Sequence, residues 1–309
     1  MRKLISSLMV ILATSGCEKA PAPNEPTTNQ ATNQATAAQT TQAADPHQAL
    51  KETLVMVVQT SMFGTRDTAP LQDYLSKAIG KPVLVQLVPT DDQVIDQLKK
   101  GEAQITFTPS WTFMVAHQRA DMEVQAVTTV AQTAAVDSLW VVSAKSKIKK
   151  TTDLKGKRVA FTSATSAEGF LFPLSQLMKD GVLTRDDDPE QIFASVAFAG
   201  DDAAALKGVE EGKYDAAAIS SDALPKDPKS VRIIAKQGPV PRAAFSVKST
   251  LDPGLQEKIA GALLGLGAEE NSDLRRSLLG DVGLVKQEHY QYTQAIQDAI
   301  DTVDADYPL

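Results

Sequence analysis

Over residues 53–303 short apolar runs alternate with helix-period segments, and the alternation breaks at one place. Strand-like runs fall at 53–59, 82–88, 104–107, 124–130, 138–143, 158–161, 195–198, 214–220, 231–235 and 244–247. Helical patterns fall at 68–79, 91–100, 111–119, 169–179, 201–211, 253–266, 273–279 and 290–303. Such alternation predicts parallel sheets flanked by helices. Residues 124–143 instead hold two consecutive strands with no helix between them, as expected where the chain crosses from one α/β lobe to another. A return near 235–245, through Gly238-Pro239-Val240-Pro241, supplies a second crossing. The expected fold class is therefore α/β, two lobes joined by two hinge crossings. One lobe takes residues 51–133 plus 242–309 and the other 134–241. A ligand cleft belongs between them, where strand ends and helix N-termini meet.

The chain ends and the composition narrow the function. Residues 1–16 read as an export signal: Arg2 and Lys3 precede an apolar run from Leu4 to Ala13 that is too short to span a bilayer permanently. Ala13-Thr14-Ser15-Gly16-Cys17 resembles a bacterial lipoprotein processing site, at which Cys17 would be acylated. Cys17 is the single cysteine, which excludes an internal disulfide and a cysteine-ligated metal cluster. Residues 17–50 are rich in Ala, Thr, Gln, Asn and Pro, and read as a disordered tether behind a lipid anchor. A net charge of −7 without a basic stripe argues against nucleic acid as a partner. The three histidines, His47, His117 and His289, lack metal-ligand spacing, and neither a Gly-x-Ser-x-Gly elbow nor a Walker loop occurs. No metal, cofactor or catalytic residue is expected.

The chemistry concentrates in residues 152–173. A short strand, Arg158 to Phe161, runs into the hydroxyl-rich turn Thr162 to Ser166 and then into an apolar, helix-compatible run from Gly169. Such a turn aims backbone N–H groups and hydroxyls at one point beside the positive end of a helix dipole. It serves either as a receptor for a small polar or anionic group or as an ordinary strand–helix loop with a Ser/Thr cap. Thr165 and Ser166 of this turn sit at the helix mouth, and comparable hydroxyls end other strands: Thr60 and Ser61, Thr108 and Ser110, Ser220 and Ser221. Open α/β sheets hold their ligands at this carboxyl edge.

Several separated segments carry a resemblance. They are Ala69-Pro70-Leu71-Gln72-Asp73-Tyr74-Leu75 with Gly80-Lys81-Pro82-Val83; Asp91 to Glu102; Asp153 to Phe161 with Gly169-Phe170-Leu171-Phe172-Pro173; and Phe198-Ala199-Gly200 through Gly212 to Ile219. In this order they resemble the substrate-binding proteins of phosphate, phosphite and phosphonate ABC importers. The resemblance implies a periplasmic-binding-protein-like (type II) clamp that binds a small oxyanion by lobe closure. It also implies a membrane permease as partner, a place in the cell envelope, a monomeric state and no cofactor.

The chain departs from the family at the ligand-binding positions. Where the family has Ser-Thr-Ser-Gly, this chain has Ser166-Ala167-Glu168-Gly169. The family's Gly-Pro-x-x-Tyr corresponds to Pro109-Ser110-Trp111-Thr112-Phe113, without the phenol, and its Gly-Ser-His-Asp to Gly200-Asp201-Asp202-Ala203. Asp222 aligns with an acid that engages an aminoalkyl group in some members. A desolvated carboxylate beside a phosphonate is costly unless protonated or paired. Hence Glu168 and Asp202 either point away or favour another cargo. Glu168, Asp202 and Asp222 beside Phe63, Trp111 and Phe113 would suit a cationic amine. The bland readings are a first-turn carboxylate for Glu168, helix capping for Asp201 and Asp202, and core packing for Trp111 and Phe113. Arg66 and Arg242 are available as charge partners. A sulfonate or amine-bearing solute, or a sensing role toward a membrane receptor, are the alternatives.

Overall fold

A computed structural model describes residues 52–64 and 66–303. The signal-like segment, Cys17 and the 17–50 tether lie outside them. The first elements are β1 (Leu54–Gln59), the short turn α1 (Thr60–Phe63), α2 (Ala69–Ile79), β2 (Val83–Val88), α3 (Asp91–Lys100), β3 (Ile105–Thr108), α4 (Ser110–Ala120) and β4 (Met122–Thr129). Next come β5 (Ala135–Ser143), β6 (Arg158–Phe161), a π-helical turn (Ala167–Leu171) leading into α5 (Phe172–Lys179), α6 (Pro189–Ile192), β7 (Ser195–Phe198), α7 (Asp202–Glu210), β8 (Ala216–Ser220) and β9 (Val231–Pro241). The chain closes with β10 (Ala244–Lys248), α8 (Pro253–Gly265), α9 (Ser272–Leu279), β11 (Gly283–Val285) and α10 (His289–Val303).

Local chemistry sets these boundaries. α3 begins where the Thr90 hydroxyl accepts the Gln93 N–H at 3.3 Å, and ends at Gly101, whose φ of 76° stops the helix. Its Val94, Ile95 and Leu98 are buried on one face. β8, Ala-Ala-Ala-Ile-Ser, is buried throughout, as an interior strand covered on both faces must be.

Two sheets form, with strand orders β11-β4-β10-β3-β1-β2 and β7-β6-β8-β5-β9. The expectation of parallel sheets needs correcting, because both are mixed. β1 runs parallel to β2 and β3, and β6 to β7 and β8, but β10 is antiparallel to β3 and β4, and β5 to β8 and β9. Apart from the three-residue β11, which pairs antiparallel with β4, the strands that reverse direction are those that adjoin the crossings. With no helix to carry the chain back to the starting edge, each enters its sheet from the opposite end.

The two crossings lie side by side. In the first, Val130 and Thr133 exchange backbone hydrogen bonds of 3.1 and 2.9 Å around Ala131 and Gln132, whose φ values are 48° and 66°. In the second, the Arg242 N–H donates to Ala134 O at 3.0 Å, and the Thr128 N–H donates to Ala243 O at 3.0 Å. β9 runs on to Pro241, well beyond the expected 231–235. It is the edge strand of its sheet, where a proline's missing donor costs no ladder bond.

Each sheet has its own core. Met56, Phe63, Leu71, Phe107 and Phe245 pack in the first lobe, and Leu139, Val141, Leu206 and Ile219 in the second. A further apolar cluster spans both lobes and contains Trp111, Phe113, Trp140, Phe161, Phe170 and Tyr292. α10 belongs to this bridging layer, touching α4 and β4 on one side and α5 and β9 on the other.

Candidate functional site

The lobes face each other through two helix starts. Trp111, in the first turn of α4, stacks on Phe170 of the π-helical turn, with ring centroids 5.8 Å apart and planes 6° from parallel. This pairing brings Thr108, Ser110 and Trp111 of the first lobe to the side of the second lobe that carries residues 166–170. Thr108 ends β3, next to β1 on one side and opposite Ala244 of β10 on the other. Its hydroxyl is buried and has no hydrogen-bond partner among the described residues, as is also true of Trp111 Nε1. α4 starts at Pro109, which has no side chain able to cap the first-turn N–H groups.

The second lobe gathers several of the expected residues. Ser166 accepts the Gly169 N–H at 2.9 Å, capping the π-helical turn, and Ala167 is buried beneath it. The Glu168 carbonyl accepts from Ser138 Oγ at 2.7 Å, which ties the turn to β5. Asp202 Oδ1 accepts the Ser220 N–H at 3.0 Å, and Ser220 Oγ accepts the Asp222 N–H at 3.2 Å. Asp222 forms a two-pronged ion pair with Arg242, one arm of which is 2.9 Å long. Arg242 Nε also donates to Thr133 O at 3.0 Å, so this side chain joins the second lobe to both crossings.

The Glu168 carboxyl is coupled electrostatically to Ser166, Asp202, Arg242 and Tyr292. Burial pushes Glu168 above the ordinary carboxylate range. Its own N–H, Ser166 and Arg242 oppose that rise, while Asp202 adds to it. Burial likewise raises Asp202, with the Ser220 N–H opposing and Asp201 and Asp222 reinforcing. Burial holds the Tyr292 phenol well above its usual value, and Glu168 adds to that. The phenol donates to Arg242 O at 2.7 Å.

Other expected residues sit elsewhere or are already engaged. Phe63 and Phe113 are core residues, correcting their expected place on the cleft. Phe63 stacks on Phe107 at 5.8 Å, and Phe113 is enclosed by His117, His289 and Tyr292. Phe63 packs into the core of its own lobe and Phe113 against α10 in the bridging cluster, where ring area is worth most. Thr60 Oγ1 donates to Val88 O at 3.1 Å, Ser61 Oγ to Gln59 Oε1 at 2.6 Å, and Ser221 Oγ accepts the Asp137 N–H at 3.2 Å. Thr165 is half-buried in the turn before Ser166. Arg66 is bound to Leu278 O, away from the acids. Ser138 and Tyr292 are additions that the sequence reading misses. For Arg242 the sequence signal is its position, immediately after the proline-bearing return.

Two α/β lobes, paired crossings and opposed helix starts define a solute-binding clamp of the kind that closes on its cargo. The chain belongs to the family described as ABC transporter, phosphonate, periplasmic substrate-binding protein, which it matches over residues 54–292. It is similar to a Xanthomonas citri protein solved with ATP bound, at 21% identity and a TM-score of 0.69, covering 82% of this chain and 97% of that one. It is also similar to the Prochlorococcus marinus PhnD1 protein in complex with methylphosphonate, at 16% identity, TM-score 0.62, and 82% and 98% coverage. A third likeness is to a binding-protein component of a Pseudomonas aeruginosa ABC phosphonate transporter, at 16% identity, TM-score 0.55, and 82% and 89% coverage. The protein is thus a periplasmic substrate-binding component of an ABC transporter, not an enzyme. Its partners are a small solute and a permease.

Proposed function

We propose that the cargo is a small phosphonate-type oxyanion, held where the first turn of α4 faces the turn at residues 166–169. The observation that carries this reading is the Trp111–Phe170 stack, because it sets two helix starts, one from each lobe, against each other. The proposed contacts are Thr60, Ser61, Thr108, Ser110 and Trp111 from the first lobe and Thr165, Ser166, Ala167, Glu168, Asp202, Ser220, Ser221 and Asp222 from the second. The acids do not forbid an anion. Arg242 neutralises Asp222, Asp202 takes the Ser220 N–H, and burial favours the neutral form of Glu168.

Glu168, Asp202 and Asp222 set against the single guanidinium of Arg242 favour a second reading, in which the cargo carries an amine. Calorimetric titration with methylphosphonate, phosphate, methanesulfonate, taurine and ATP separates the two. Binding of the amine-free phosphonate supports the first reading, and binding confined to taurine supports the second. Thermal shift gives the same answer, since ligand at a hundredfold excess over Kd stabilises by about 2.7 kcal/mol.

The lobe boundaries we assign are 51–133 plus 242–309 and 134–241, in a monomer tethered to the membrane through lipid on Cys17. Cys17→Ser is expected to move the protein from the membrane to the soluble fraction. Retention in the membrane fraction would contradict lipidation.

A further inference from the structure

Glu168 stands where the family turn has a hydroxyl, and its surroundings give the carboxyl a defined role. It is half-buried in the contact between lobes, two residues before the ring that stacks on Trp111. The Thr162 hydroxyl, buried and without a partner among the described residues, lies against the backbone of Gly169, the residue after Glu168. A Cβ built on Gly169 would come within 1.8 Å of it. The charged and titratable groups coupled electrostatically to Glu168 lie on three parts of the chain: Asp202 at the start of α7, Arg242 at the second crossing, and Tyr292 on α10. Arg242 is already committed to Asp222 and to Thr133 O. It therefore has little left to neutralise both Glu168 and an arriving anion.

Resting on the oxyanion reading above, we propose that Glu168 binds the solute as the carboxylic acid, donating its proton to a solute oxygen, so that capture is coupled to uptake of one proton from solvent. On release the proton returns to solvent, which balances the cycle. An ionised Glu168 beside the anion, with Asp202 adding negative charge, would repel it strongly in a water-poor gap. A hydroxyl at this position is a donor at every pH. A carboxyl is a donor only while protonated, so this site selects its cargo together with the proton.

The test is calorimetry with methanesulfonate, which does not titrate in the accessible range, and with methylphosphonate, over roughly pH 5 to 9 in paired buffers of different ionisation enthalpy. Proton uptake by the wild type is expected to rise with pH toward about one per solute, and affinity to fall up to about tenfold per pH unit where Glu168 ionises in the free protein. Glu168→Gln is expected to remove about one proton from the uptake and to flatten the methanesulfonate profile. Melting curves establish that the variant is folded. Binding of either probe by the wild type with the same uptake as Glu168→Gln overturns the proposal. If neither probe binds at any pH, the oxyanion reading falls and this inference falls with it.

Discussion

At Glu168 a charge-bearing residue occupies a place where burial disfavours charge, and stability should record this. Because its folded-state proton affinity is raised, its contribution is full below the ordinary carboxylate range and is lost as pH climbs through the raised value. The wild-type melting temperature should therefore decline with rising pH over that window, while Glu168→Gln should show a shallower decline. Parallel melting profiles would contradict this. The adjoining glycine is required for steric reasons. Gly169→Ala drives a methyl into the Thr162 hydroxyl and should cost about 1–3 kcal/mol, read by denaturant unfolding. Glu168 itself is legible in the sequence, as a carboxyl in a hydroxyl's position. Tyr292 and Ser138 are not, because each reaches the site only through tertiary packing across long stretches of chain. The aromatics mislead because Phe63 and Phe113, both near strand ends, point back into the cores.

Among the elements, the crossing turn stores backbone strain. Ala131 and Gln132 both take left-handed conformations without being glycine, with φ of 48° and 66°, each at a cost of roughly 1 kcal/mol. Gln132→Gly should recover about 1 kcal/mol of that, seen as a higher midpoint in urea. An unchanged or lower midpoint would show that the turn is unstrained. α10 is held by an imidazole pair, with the His289 and His117 rings 4.6 Å apart and the Val124 N–H donating to His289 Nδ1 at 3.4 Å. Burial, then His117, lowers the proton affinity of His289, against a smaller pull from Glu123. The contribution of His289 is thus present above the ordinary imidazole range and is lost as pH falls through the lowered value. Amide exchange in residues 289–303 should accelerate at acid pH relative to α3, and His289→Asn should blunt that response. The strands at 158–161 and 195–198 and the helix at 91–100 are legible to the residue because caps and turns bound them. β11 has only three residues, too few for a periodic signal. The π-helical turn reads as α-helix in sequence because both begin with a capped, apolar run.

For the molecule as a whole, one interruption in strand–helix alternation is enough to foresee two lobes, whereas sheet direction stays hidden. Which way a strand enters a sheet depends on where the crossing delivers it, and no local residue pattern encodes that. The bridging cluster around Trp111 and Phe170 is apolar and is sealed only while the lobes are together. Opening would expose it, so a solute held between the lobes should shift the population toward closure. Small-angle scattering with and without saturating methylphosphonate, repeated on Glu168→Gln, tests this most directly. The radius of gyration is predicted to fall when the solute is added to the wild type. An unchanged value, at a concentration where calorimetry shows the site filled, would contradict capture by lobe closure.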